Sequence, residues 1–181
     1  MGLNYMNEEA NGCCACGGGC CGGEQEKKKL VLDLLYLDLS VCGRCQGAEQ
    51  NLEEAITEVS GVLKAAGFEI VVNKIEISSK ELAEQYRFIS SPTIRINGVD
   101  LDLEVKETPC RECGDLCGDD VDCRVWVYDG VEYSEPPKAM IVNGILQAVY
   151  RQRKKTAADE GGYELPDNLR RFFAGIKRKA D

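Results

Sequence analysis

The feature that most constrains this chain is a pair of cysteines, Cys42 and Cys45, set between a predicted strand and a predicted helix. Before the pair, residues 30–39 read LVLDLLYLDL, an apolar run typical of a buried central strand. After the pair, apolar residues recur at helical spacing as far as Ala66, and Gly67 is a natural helix end. A cysteine at the start of a helix is suited to thiol chemistry, because the helix dipole favours the thiolate.

Three interpretations of the Cys42–Cys45 pair are open. As a redox pair, Cys42 faces solvent and attacks a disulfide, and Cys45 resolves the mixed disulfide. As metal ligands, the two thiolates form half of a site for a soft or borderline ion. As inert thiols, they only fill space. The strand before the pair and the long helix after it favour the redox interpretation, and Arg44 adds positive charge that favours a thiolate.

The residue counts narrow the possible chemistry. The 181 residues include 11 cysteines and no histidine. Without histidine, imidazole acid–base catalysis and a Ser-His-Asp triad are excluded, and a transition-metal site has to use thiolates. We find no export signal in the sequence and no apolar run long enough to span a membrane, so we expect a cytoplasmic protein with reduced thiols. The net charge of −9 argues against nucleic-acid or anionic-membrane partners.

The rest of the domain alternates strands and helices, which is typical of an α/β fold. We predict a strand over 68–77, a helix over 80–87, a strand with an Asn97-Gly98 turn over 93–103, a strand or hairpin turning at Asp129-Gly130 over 124–133, and a helix ending near Arg153.

Four more cysteines lie in an acidic stretch, residues 104–124, which we predict to be an insertion. They are separated by two, three and five residues, so the four could surround one tetrahedral ion. We predict these ligands to be Cys110, Cys113, Cys117 and Cys123. A structural zinc ion and an iron–sulfur cluster both suit four thiolates. The alternatives are disulfides, a second redox relay, or unligated thiols.

The two ends of the chain are predicted to lie outside the folded domain, which spans residues 29–153. Residues 1–28 form a flexible, glycine-rich tail whose cysteines either collect a soft metal, pass electrons to Cys42 or oxidise at random. We predict residues 154–181 to form a basic extension with a short amphipathic helix over 169–176, either solvated or docked on the acidic insertion or on a partner. The tail cysteines are Cys13, Cys14, Cys16, Cys20 and Cys21.

The predicted order of a strand, the cysteine pair, a helix, a strand, a helix, Ser91-Pro92-Thr93, two strands and a helix resembles the thioredoxin-like superfamily. The resemblance implies an α/β, three-layer sandwich with a central mixed sheet flanked by helices, here carrying the cysteine-rich insertion. It also implies that Pro92 is the cis-proline that packs against the cysteine pair and shapes a substrate groove. An ordinary trans proline that ends the preceding helix is the alternative.

A closer resemblance rests on the segments LDLSVCGRCQGAEQNLEEA, CRECGDLCGDD and EYSEPPKAMIVNGIL. They are similar to an uncharacterised prokaryotic thioredoxin-like family, catalogued as a domain of unknown function, and to thioredoxin-like selenoproteins found with organometal-handling genes in anaerobes. This implies thiol or soft-metal chemistry. The motif departs from thioredoxin itself, because Arg44 replaces the usual proline and Val41 replaces the usual aromatic residue.

The sequence therefore favours a thiol–disulfide oxidoreductase-like protein. In it Cys42 is the nucleophile, Cys45 the resolving thiol and Pro92 part of the substrate groove, and the partner is a thiol or disulfide protein. The alternative is a protein that binds or delivers a thiophilic metal or metalloid, such as Zn, Hg, As or Cu. A structural module in which the cysteine pair is incidental is the third hypothesis.

Overall fold

The computed structural model describes residues 27–150 and 163–180. The predicted roles of the tail cysteines lie outside these residues. The strands are β1 (Lys28–Tyr36), β2 (Phe68–Glu76), β3 (Thr93–Ile96), β4 (Val99–Asp100), β5 (Lys106–Pro109), β6 (Asp122–Tyr128) and β7 (Val131–Tyr133). The helices are α1 (Gly43–Ala65), α2 (Lys80–Gln85), α3 (Arg111–Cys117), α4 (Lys138–Tyr150) and α5 (Asp167–Ala180). None of these helices combines the length and apolarity needed to cross a bilayer.

The main sheet has four strands in the order β2-β1-β3-β4. Strand β1 runs parallel to β2 and antiparallel to β3, and β3 and β4 form an antiparallel pair. The parallel connection between β1 and β2 passes through α1, as parallel neighbours require a crossover. Strand β1 therefore lies in the interior of a mixed sheet, as its apolar sequence predicted.

Successive side chains of β1 point to opposite faces of the sheet, and a buried apolar cluster lies on each face. Leu30, Leu32 and Leu34 are buried in the cluster that α1 and α4 cover. On the other face, Leu35 is buried with Phe88, just beyond α2, in a second cluster. The sheet lies between two helical layers, which confirms the predicted α/β sandwich with a mixed central sheet.

The cysteine-rich insertion forms β5, α3 and the start of β6, and a second sheet runs in the order β5-β6-β7. This sheet is joined to the main domain by a hydrogen bond, in which the Arg124 backbone N–H donates to the Ser91 carbonyl at 2.7 Å.

Both predicted turns, Asn97-Gly98 and Asp129-Gly130, are present. Asp129 and Gly130 have φ angles of 51° and 78°, as tight hairpins between twisted strands require.

Helix α5 packs against the insertion. Leu169 and Phe172 are buried in the same cluster as the insertion cysteines. Arg178 donates to an Asp119 carboxylate oxygen at 3.1 Å, and Lys179 donates to the Asp115 carbonyl at 2.9 Å. The basic C-terminal extension was predicted to be solvated or docked, and the described helix α5 is docked on the acidic insertion.

Helix α5 approaches α3 closely at Gly175, where an added Cβ would lie 2.5 Å from the Cys117 carbonyl oxygen. We expect Gly175→Ala to lower the free energy of unfolding by about 1–3 kcal/mol, because backbone cannot move aside as easily as a side chain. The matched control is Gly61→Ala in α1, where a Cβ meets nothing within 4 Å. That change should raise stability by about 0.5–1 kcal/mol. Urea unfolding of both variants tests this, and equal shifts would contradict the packing of α5 on α3.

Candidate metal centre

Four buried cysteine sulfurs form one compact group. The Sγ atoms of Cys42, Cys110, Cys113 and Cys123 all lie within 4.8 Å of one another. The Cys42 and Cys110 sulfurs are 3.9 Å apart, and the Cys113 and Cys123 sulfurs are 3.5 Å apart. We call these four residues the sulfur group.

The spacing of the sulfur group matches a single ion. Four sulfurs at about 2.3 Å from a tetrahedral zinc ion lie about 3.8 Å from one another. A disulfide would bring two sulfurs to about 2.05 Å, and all six described cysteines are free thiols. An iron–sulfur cluster spreads its cysteine ligands over several irons, so it needs wider separations than one ion. The four thiols could therefore hold one metal ion.

Two helix starts and one strand position these sulfurs. Cys42 is the N-cap of α1 and Cys110 the N-cap of α3, and neither side chain makes a capping hydrogen bond. Both sulfurs are therefore free to turn towards the group. Cys113 lies in the first turn of α3, and Cys123 on β6 pairs with Thr108 of β5. The N-terminus of the 23-residue α1 also favours negative charge on Cys42.

The sulfur group differs in one member from the set that the sequence spacing suggested. Cys110, Cys113 and Cys123 lie together as expected, but Cys42 completes the group in place of Cys117. The Cys117 sulfur instead lies 3.6 Å from the Asp119 carbonyl oxygen. The start of α1 supplies Cys42 as the fourth sulfur, and Cys117, the last residue of α3, turns its sulfur to the carbonyl oxygens of Gly114 and Asp119 instead.

The other half of the predicted redox pair, Cys45, lies outside the sulfur group. Its sulfur is 3.4 Å from the Ser91 hydroxyl, and the Ser91-Pro92 peptide bond is cis, as predicted. Cys42 and Cys45 both have 0% exposed surface. The expectation that Cys42 faces solvent is therefore wrong, because its side chain turns inward to the insertion cysteines.

The thiols influence one another's ionisation. Hydrogen bonds from neighbouring thiols, above all Cys110, hold the pKa of Cys42 well below its usual value. The pKa of Cys45 is raised, first by its hydrogen bond with Cys42 and then by burial. The pKa of Cys123 is raised too, with Cys110 as the largest cause. The pKa of Cys110 is lowered as well, above all by its hydrogen bond with Cys113. Negative charge in the buried group thus falls on Cys42 and Cys110, and the protons that Cys45 and Cys123 keep stabilise it.

Arg44 joins the cysteine pair to the insertion. Its guanidinium donates to the carbonyl oxygens of Cys123 at 3.0 Å, Pro109 at 3.0 Å and Thr108 at 3.3 Å. These carbonyls belong to the two strands that flank α3. In the sequence, Arg44 stands out only as a positive charge near the cysteine pair. Nothing there indicates that its guanidinium makes hydrogen bonds to backbone carbonyls more than 60 residues away.

An open groove with a volume of about 980 Å³ runs along α3 and reaches the sulfur group at Cys110. Cys110 is the one member of the group among the lining residues. Four aspartates and one arginine give this lining an acidic character. They are Asp115, Asp119, Asp120, Asp122 and Arg111.

A comparison of the sequence with known protein families identifies the family of this chain. Residues 30–145, more than half of the chain, match a family model described as "Domain of unknown function (DUF2703)". The chain belongs to the DUF2703 family. The matched part of this DUF2703 chain contains the sulfur group, Cys45 and Pro92, whereas α5 lies beyond it. No curated protein and no solved structure matches the chain. The family gives no activity, and the thioredoxin-like resemblance stays a prediction that the sheet order is consistent with.

The role of Arg44 can be tested by Arg44→Lys. A single ammonium cannot reproduce the guanidinium's bonds to three carbonyls, so we expect a loss of about 1–3 kcal/mol of unfolding free energy. Faster amide hydrogen exchange in β5 and β6 should accompany the loss. Arg111→Lys is the control, because the Arg111 side chain is 91% exposed and should change stability by less than about 0.5 kcal/mol. Equal effects of the two changes would contradict a bracing role for Arg44.

Proposed function

We propose that this DUF2703 protein binds one thiophilic metal ion through Cys42, Cys110, Cys113 and Cys123. The observation that carries the proposal is the closeness of the four sulfurs, all within 4.8 Å. Four thiolates at tetrahedral spacing suit zinc best among common ions, and suit other soft or borderline metals that prefer sulfur. Four protein ligands leave no open coordination position, which is typical of a structural or storage site rather than a catalytic one.

The bound ion would join two parts of the chain. Cys42 comes from the start of α1 in the main domain, and the other three ligands come from the insertion. Arg44 already makes hydrogen bonds between these parts. An ion shared across this boundary would fix the insertion on the domain and stabilise the folded state, because metal binding is coupled to folding.

The ligand set is tested by metal analysis and native mass spectrometry of protein purified without oxygen. We expect one ion per chain. Cys42→Ser should weaken its binding by at least about a hundredfold, because the loss of a ligand costs more than the loss of a residue that only orients one. Cys117→Ser is the matched control. Cys117 is as buried as the ligands but lies outside the sulfur group, so this variant should keep the ion.

The same pair of variants separates the two ligand sets. Loss of the ion in Cys117→Ser with full retention in Cys42→Ser would support the set suggested by spacing and contradict the geometric one. Retention in both would mean that the ion is bound elsewhere.

A second candidate function is thiol–disulfide exchange by Cys42 and Cys45. The specific observation in its favour is that the Cys45 sulfur lies 3.4 Å from the Ser91 hydroxyl, beside cis-Pro92, while Cys42 is the N-cap of the helix that carries Cys45. Their spacing at a helix start is that of known dithiol motifs. The full burial of Cys42 ranks this function below metal binding, because a buried thiol is closed to a protein substrate.

This second function predicts one reversible disulfide. When metal-free protein is equilibrated with reduced and oxidised glutathione, we expect two thiols to be lost together and peptide mapping to assign them to Cys42 and Cys45. Cys45→Ser should abolish the Cys42–Cys45 disulfide in the peptide map, whereas Cys117→Ser should leave it unchanged. A disulfide that maps to Cys110 and Cys113 in the wild-type chain would contradict the assignment.

A further inference from the structure

The cysteines differ in how accessible they are to a disulfide in solution. Cys42 and Cys45 have no exposed surface, so a disulfide in solution cannot reach either of them directly. Cys110 is 3% exposed and lines the groove along α3. Its sulfur lies 3.9 Å from that of Cys42. Cys110 therefore both lines the groove and lies next to the buried Cys42.

We propose that an external disulfide enters this chain at Cys110, and that the oxidation then passes to Cys42 and Cys45. The inference rests on the second function above, thiol–disulfide exchange by the buried pair. It assigns to Cys110 a nucleophilic role that is additional to metal binding.

Three exchange steps carry the oxidation inward. The Cys110 thiolate attacks an external disulfide RS–SR, forms a mixed disulfide with one RS group and releases the other as thiolate. The Cys42 thiolate then attacks the Cys110 sulfur, forms the Cys42–Cys110 disulfide and releases the second RS thiolate. Finally the Cys45 thiolate attacks the Cys42 sulfur, forms the Cys42–Cys45 disulfide and returns Cys110 as a thiolate. One external disulfide is reduced to two thiols, which take up the two protons that Cys42 and Cys45 lose.

The lining of the groove indicates the class of disulfide. Four aspartates against one arginine give it an excess of three negative charges, part of which Arg178 offsets at Asp119. An acidic cleft attracts cations and repels anions. The favoured substrate is therefore a small disulfide that carries positive charge.

Cystamine, a dication, and 3,3′-dithiodipropionate, a dianion of similar length, are suitable probes. Each is added to the reduced, metal-free full chain, the reaction is stopped with acid at successive times, and the cysteine peptides are mapped by mass spectrometry. In the wild type we expect the earliest mixed disulfide within the domain at Cys110, followed by the Cys42–Cys45 disulfide. Cystamine should react at least about tenfold faster than the dianion at low salt, and the ratio should shrink at high salt.

Two variants stop the relay at known steps. Cys42→Ser should accumulate the mixed disulfide at Cys110, and Cys45→Ser should accumulate the Cys42–Cys110 disulfide. Cys110→Ser should slow formation of the Cys42–Cys45 disulfide at least about tenfold, since groove access to the pair is lost. Cys117→Ser is the control and should follow the wild-type time course. The wild-type time course tests the order of events without relying on the folding of any variant.

The outcomes separate this inference from the function on which it rests. If the Cys42–Cys45 disulfide forms with Cys42 modified first, and at an unchanged rate in Cys110→Ser, entry at Cys110 is wrong while exchange by the pair stands. If the wild-type chain never forms that disulfide, the second function itself fails. Equal rates for the two probes at low salt would overturn the preference for a cationic substrate.

Discussion

The packing of four thiols into one closed space is the constraint on which the rest of this structure depends. Buried thiolates that lie close together destabilise the folded state unless their charge is shared or neutralised, because like charges repel strongly where water is excluded. Bringing them together also requires the start of α1 to meet an insertion whose cysteines follow 68 or more residues later. The surrounding residues hold the start of α1 against the insertion.

Three supports hold this junction from different sides. Arg44 binds the backbone of both insertion strands, and α5 covers α3 from outside. The third support is Arg124, which is fully buried beside Cys123, stacks on the Trp126 ring at 4.8 Å and donates to the Thr93 hydroxyl at 2.8 Å. Through Thr93 it connects the strand that carries Cys123 to the segment that begins at cis-Pro92. The sulfur group and the environment of Cys45 therefore share one scaffold.

Sequence patterns predicted the local parts of this arrangement well, because they depend on neighbouring residues. The apolar run of β1, the periodicity of α1 and the Asn97-Gly98 turn each specify their own backbone. The membership of Cys42 in the sulfur group was beyond such patterns, since only the folded chain shows which distant element meets the insertion. Cys117 was assigned to the group because spacing along the chain counts only the insertion's own cysteines, and the fourth sulfur comes from the start of α1. Acidic character was recognised in the insertion, but the groove that it lines emerges only from tertiary packing.

Cys42 is shared by the two proposed functions, as a ligand beside the insertion sulfurs and as the partner of Cys45 in thiol–disulfide exchange. A sulfur bonded to another sulfur has no thiolate left to give to a metal. An ion held by four thiolates therefore withholds Cys42 from disulfide chemistry, and a disulfide at Cys42 leaves the ion with three ligands. Under the two proposed functions, metal occupancy and oxidation would compete for this single sulfur atom, so the metal supply and the redox state around the protein would act on it together.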